Sequence, residues 1–128
     1  MTKPCPFCTL PATAKVSQNA LAFWVYDIAP SARGHSLIIP KRHVASFFDL
    51  TMEERQAMLA LVDEARDAIA RAHGPDGYNV GLNDGEAAGQ TVAHVHLRLI
   101  PRHVGDVADP RGGIRWVLPE TADYWSPR

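Results

Sequence analysis

The chain has 128 residues, 46% of them hydrophobic and 21% charged, with a formal net charge of −1. That size suits one domain that buries a core without staples, and the composition excludes a disordered segment. Near-neutral charge gives no basic surplus for a nucleic-acid backbone, and no apolar run approaches the roughly 20 residues of a membrane span.

The first 13 residues hold both cysteines, Cys5 and Cys8, as a C-x-x-C among Pro4, Pro6 and Pro11. Proline fixes φ and removes donors, so this stretch reads as irregular backbone. No hydrophobic signal region precedes it, which points to the cytoplasm. In a reducing compartment the pair reads as half of a zinc site or as a redox couple. Nothing strand-like precedes Cys5, which disfavours the redox reading, and zinc needs a second pair of ligands from elsewhere.

Ala14 to Asp27 reads as a hairpin, with strand candidates Lys15-Val16-Ser17 and Leu21-Ala22-Phe23-Trp24-Val25-Tyr26 around a turn at Gln18-Asn19-Ala20. Asp27 closes it, as a turn residue or as an acceptor for sugar hydroxyls. His35-Ser36-Leu37-Ile38-Ile39-Pro40 is a third strand, stopped by its proline and flanked by His35 and His43. Each histidine taken alone reads as a surface residue. Thr51-Met52-Glu53-Glu54 is a capping box, and the helix it opens runs to about His73. Met58, Leu61, Val62, Ala65, Ile69 and Ala72 form its apolar stripe, and Gly74-Pro75 stops it. Gly77 to Leu82 is a fourth strand. Asn83 to Gln90 is a small-residue loop that lets backbone N–H groups approach an anion. Trp116 and Trp125 lie in a tail without periodic pattern and suggest packing onto a surface or a partner subunit.

The stretch Gln90 to Pro101 alternates. As a strand it puts Val92, His94, His96 and Arg98 on one face, about 7 Å apart, and Ala93, Val95, Leu97 and Leu99 on a core face. An edge strand with polar residues outward accounts for the pattern. So does a row built to hold a metal, to hold a phosphate, or to attack one.

Gly89 to Arg102 resembles the signature of the histidine triad (HIT) family, His-φ-His-φ-His-φ-φ. Asp27-Ile28, Gly34 to His43, Asn83-Asp84-Gly85 and Cys5-Pro6-Phe7-Cys8 resemble further segments of that family in order, the last being the clamp of its zinc-containing bacterial members. The resemblance covers roughly residues 4 to 108 of a single domain, 1–128, with a tail from 109 to 128. It implies an α+β fold with a five-stranded antiparallel sheet and one long helix, usually in a homodimer. It implies nucleotidyl transfer or hydrolysis at the α-phosphorus of a purine nucleotide ester or dinucleoside polyphosphate. No nucleic acid or membrane is implied as a partner. By position, His96 matches the nucleophile, His94 the first triad histidine, Asp27 and Ile28 the ribose segment, and His35 a pocket histidine. Asn83, Gly89, Gln90 and Thr91 match the phosphate and leaving-group contacts. Cys5, Cys8, His43 and His94 match the ligands of a structural zinc.

The chain departs from the signature at its third position, where Arg98 stands for histidine. Arginine holds its proton above about pH 12 and cannot assist a leaving group, though its paired donors still grip phosphate. Two classes follow: an enzyme acting through His96, catalysing with His94 and Arg98 beside it, or a nucleotide-binding module with little turnover.

Overall fold

In a computed structural model, described over residues 4–27 and 33–127, the sequence folds as strands β1 (Lys15–Gln18), β2 (Ala22–Tyr26), β3 (Ser36–Pro40), helix α1 (Met52–His73), β4 (Gly77–Gly81) and β5 (Leu97–Arg102). Among these residues the strands make one five-stranded antiparallel sheet in the order β1-β2-β3-β5-β4. This is the α+β architecture expected. No described helix is long and apolar enough to cross a membrane.

Register decides what each face carries. Leu37 of β3 lies opposite Val25 and Arg98, while Ile38 lies opposite Trp24 and Leu97. The Ile38 face, with Ala22, Trp24, Leu97 and Leu99, packs against Met58, Leu61, Ala65 and Ile69 of α1. On the Leu37 face, Phe7 and Leu10 of the N-terminal segment cover Phe23, Val25, Leu37 and Ile39. Both faces of β2 and β3 are therefore buried, which is why these strands read as continuous apolar runs.

Local chemistry fixes the ends. The Asn19 side chain accepts from the amides of Leu21 and Ala22 and donates to the Ala57 carbonyl, tying the first turn to α1. Leu21, expected within β2, is exposed just before it. At α1, Glu54 N donates to Thr51 Oγ1 at 3.0 Å and Thr51 N to Glu54 Oε1 at 2.9 Å, closing the capping box. Gly74 ends the helix in the left-handed region, at φ 56° and ψ 48°. Ala72, expected in the stripe, is exposed, because the final turn runs past the cluster that covers Ile69.

Glu54 is buried at the head of that stripe, where Arg42 grips it with Nε at 3.0 Å and a terminal nitrogen at 2.8 Å. The Arg42 bonds, followed by those from Thr51, hold the Glu54 carboxyl down at about 2 from its ordinary 4.5. A depressed folded value means stability that is complete above pH 4.5 and lost as pH falls towards 2. Glu54→Ala is expected to cost about 1–2 kcal/mol at pH 7 through the lost cap. The gap from wild type should narrow in denaturant titrations at pH 3.

The histidine stretch is not one strand. β5 begins at Leu97, and the backbone before it bends, with His94 N donating to Val92 O at 2.8 Å and Val95 N to Val44 O at 2.8 Å. The bend breaks the expected row. His94 reaches Cys5 and the Pro40 carbonyl while His96 and Arg98 line a cavity, and Ala93, expected in the core, is exposed. In the tail, Trp116 and Trp125 pack on each other at 6.4 Å, and Trp116 Nε1 donates to the Arg111 carbonyl. The tail reaches the sheet where Ile114 lies against Gly81 of β4.

Candidate active site

Two sites meet at the bend before β5. In the first, the C-x-x-C turn, the segment just after β3 and the bend bring together Cys5, Cys8, His43 and His94. Their ligand atoms all lie within 4.8 Å of one another. Cys5 Sγ is 3.4 Å and Cys8 Sγ 3.5 Å from His94 Nδ1, Cys8 Sγ is 3.3 Å from His43 Nδ1, and the two Nδ1 atoms are 3.2 Å apart.

These spacings test the fit of a metal. Bonds of about 2.3 Å to sulfur and 2.05 Å to nitrogen put tetrahedral corners roughly 3.5 Å apart for S and N and roughly 3.4 Å for two N. The observed separations match within a few tenths of an ångström. His94 Nε2 donates to the Pro40 carbonyl at 2.7 Å, which leaves the lone pair on Nδ1, inside the cluster. Burial, offset in part by that bond, lowers the His94 pKa and favours the neutral, ligating ring. The four residues can hold a metal ion, and a closed set of two thiolates and two imidazoles suits zinc.

The second site is a cavity of about 280 Å³ on the Leu37 face. Pro6, Phe7, Leu10, Val25 and Leu37 give it apolar walls, and Asp27, Thr91, His96 and Arg98 give it polar groups. His96 is 6% exposed. Its Nδ1 lies 2.8 Å from the His94 carbonyl oxygen, which can only accept, so Nδ1 carries the proton and Nε2 the lone pair. Burial lowers the His96 pKa, against the His94 hydrogen bond, and the Arg98 charge lowers it further. The ring is therefore neutral near pH 7, as a nucleophile must be.

Arg98 does not point alone into the cavity. One terminal nitrogen donates to Asp27 Oδ2 at 2.9 Å and lies 3.5 Å from His35 Nε2, with His35 Nε2 3.7 Å from the same carboxylate oxygen. His35 is 2% exposed, so it is no surface histidine. Its pKa is lowered by burial first, with Asp27 opposing and Arg98 adding to the effect.

The loop residues divide. Thr91 lines the cavity. Gln90 is turned into its own loop: its Oε1 accepts from Gly85 N at 2.7 Å, and its Nε2 donates to the carbonyls of Ala45 and Val92 at 2.8 and 3.0 Å. Asn83 and Gly89 lie together, with Asn83 Nδ2 3.6 Å from where a Gly89 Cβ would stand, and neither lines the cavity. Ile28 lies outside the described residues. Sequence reading missed the walls of the cavity and the Asp27–Arg98 pair. The walls had a signal, since Phe7 sits between the cysteines, but the pair joins residues 71 apart and has none.

The family model described as HIT domain matches residues 11–105. An adenosine 5′-monophosphoramidase of Schizosaccharomyces pombe is 39% identical over 102 residues, covering 77% of this chain and 74% of that protein. An AP-4-A phosphorylase of Mycobacterium tuberculosis is 35% identical over 107 residues, covering 79% of this chain and 55% of that longer protein. A crystal structure of a zinc-bound histidine triad family protein from Mycobacterium smegmatis superposes with a TM-score of 0.73 at 35% identity, covering 83% of this chain and 80% of that one.

Proposed function

We propose, for a chain that belongs to the HIT domain family, that it is a nucleotide hydrolase or transferase acting at an α-phosphorus through His96. The observation that carries the reading is the buried, neutral His96, its proton fixed on Nδ1 and its Nε2 lone pair available beside Asp27, Thr91 and Arg98. Nε2 attacks phosphorus, a P–N bond forms and the bond from phosphorus to the leaving group breaks. Water then cleaves the P–N bond and restores the ring. Thr91 and the guanidinium of Arg98 stand where charge develops on phosphoryl oxygens. Asp27 and His35 hold that guanidinium. The apolar walls fit the flat face of a purine, and the named activities of the relatives on adenosine nucleotides support that choice.

Cys5, Cys8, His43 and His94 would hold a structural zinc, which supplies cross-linking of the N-terminal turn to the bend and no Lewis-acid chemistry. The reading includes a cytoplasmic homodimer. β4 supports the dimer, since it forms an edge of the sheet and leaves Val80 half exposed.

Arg98 favours a second reading, a nucleotide-binding module with little turnover, because the proton donor of the signature is missing. Intact mass after brief incubation with diadenosine polyphosphate decides between them. A gain of one adenylyl group in wild type, and none in His96→Ala, is the expected result. Bound nucleotide with neither adduct nor product release would select the binding module.

A further inference from the structure

The metal cluster and the cavity share a wall. Pro6 and Phe7 line the cavity, and the cysteines on either side of them, Cys5 and Cys8, reach His43 and His94. The Phe7 ring lies 5.0 Å from His96, tilted by 56°, and 5.9 Å from His94, edge on at 88°. Within the turn, Thr9 bonds only back to the carbonyls of Cys5 and Pro6. Among the described residues, the side-chain hydrogen bonds that carry this turn to the bend before β5 are those of the cysteines. On its far side, His94 offers Nδ1 to the cluster and its carbonyl oxygen to His96.

We propose that Phe7 is a positioning residue through which metal held by Cys5, Cys8, His43 and His94 sets the nucleotide affinity of the cavity, so that metal and nucleotide bind cooperatively. The inference rests on the nucleotide reading above. A wall carried on a short turn must be ordered before it can pack on a ligand, and that ordering opposes binding. Metal on both cysteines orders the turn first, so a nucleotide arriving second meets a formed wall. Coupling of this kind is reciprocal: the factor by which metal strengthens nucleotide binding is the factor by which nucleotide strengthens metal binding.

The test measures AMP affinity by calorimetry on zinc-loaded and zinc-stripped protein, and zinc affinity by chelator competition with and without saturating AMP. Circular dichroism follows the fold throughout. Stripping is expected to weaken AMP binding about tenfold, and AMP to tighten zinc by the same factor. In Phe7→Ala both factors should fall to within about twofold of unity while zinc remains at one per chain, and Phe7→Leu should restore part of the coupling. Coupling that persists undiminished in Phe7→Ala, as it would if stripping merely unfolded the chain, overturns the inference. So does AMP affinity indifferent to zinc in wild type, which leaves the nucleotide reading standing. Failure of the zinc-loaded wild type to bind AMP overturns both.

Discussion

Arg98→His is expected to raise kcat/KM for an adenosine phosphoramidate about a hundredfold, because a positioned general acid contributes roughly 10²–10⁴ to a step that needs a proton. An amine leaves poorly unless it is protonated as the P–N bond to it breaks. Arginine has no proton to give near neutrality, whereas a histidine at this place does. A nucleotide or polyphosphate leaving group departs as a stable anion and gains little from the acid, so hydrolysis of diadenosine polyphosphate should not rise, and should fall with the loss of the Arg98 guanidinium. In the variant the Asp27 carboxylate keeps His35, whose Nε2 lies 3.7 Å from Oδ2. Arg98→Gln is the control: it removes the charge, supplies no acid and should not raise phosphoramidate turnover. Parallel steady-state kinetics on the two substrates would show the change in preference. A phosphoramidase activity no higher in Arg98→His than in Arg98→Gln would remove leaving-group protonation as the meaning of this residue.

The second large effect concerns the cluster. Cys5→Ser/Cys8→Ser is expected to abolish zinc binding and to lower Tm by about 10 °C, which for a domain of this size corresponds to roughly 3 kcal/mol. Free energy of metal binding to a site that exists only in the folded chain is folding free energy. The loss should stop short of unfolding, because the apolar cluster between the sheet and α1 does not involve the cysteines. Adding a strong chelator to wild type should reproduce most of the shift, and adding it to the double variant should do nothing. Metal analysis with differential scanning calorimetry checks both halves.

What was legible in the sequence was what is local. Thr51, Glu54, Gly74 and Pro75 mark the ends of α1 because caps are satisfied within a few residues of themselves. β2 and β3 show as apolar runs because each is buried on both faces. The bend before β5 was hidden, because alternation of His94, His96 and Arg98 is the same string whether the backbone is extended or turned. The bond from His94 N to Val92 O and that from Val95 to Val44, a residue 51 positions away, show which it is. The pattern matches Gln90 to a phosphate contact, and no local signal shows that its side chain also bonds Gly85 of its own loop and Ala45 of the segment before α1. His35 passes for a surface residue on its own and is buried where Asp27 and Arg98 meet it from two other segments. The gathering of Cys5, Cys8, His43 and His94 came from the resemblance, and the spacing of their ligand atoms now gives it a physical basis.

Among the described residues, several bonds that define the two sites span long stretches of sequence: 89 residues separate Cys5 from His94, 86 separate Cys8 from it, and 71 separate Asp27 from Arg98. Closing such loops costs chain entropy before any contact rewards it, so these contacts are slow to form and high in contact order. The hairpin of β1 and β2, and α1 behind its capping box, have their partners close by and are placed to form earlier. Chemical competence then arrives with the last step of folding. A chain arrested before β5 docks would hold much of its helix and no working cavity, and any ligand of that cavity would act by mass action on the completed fold alone.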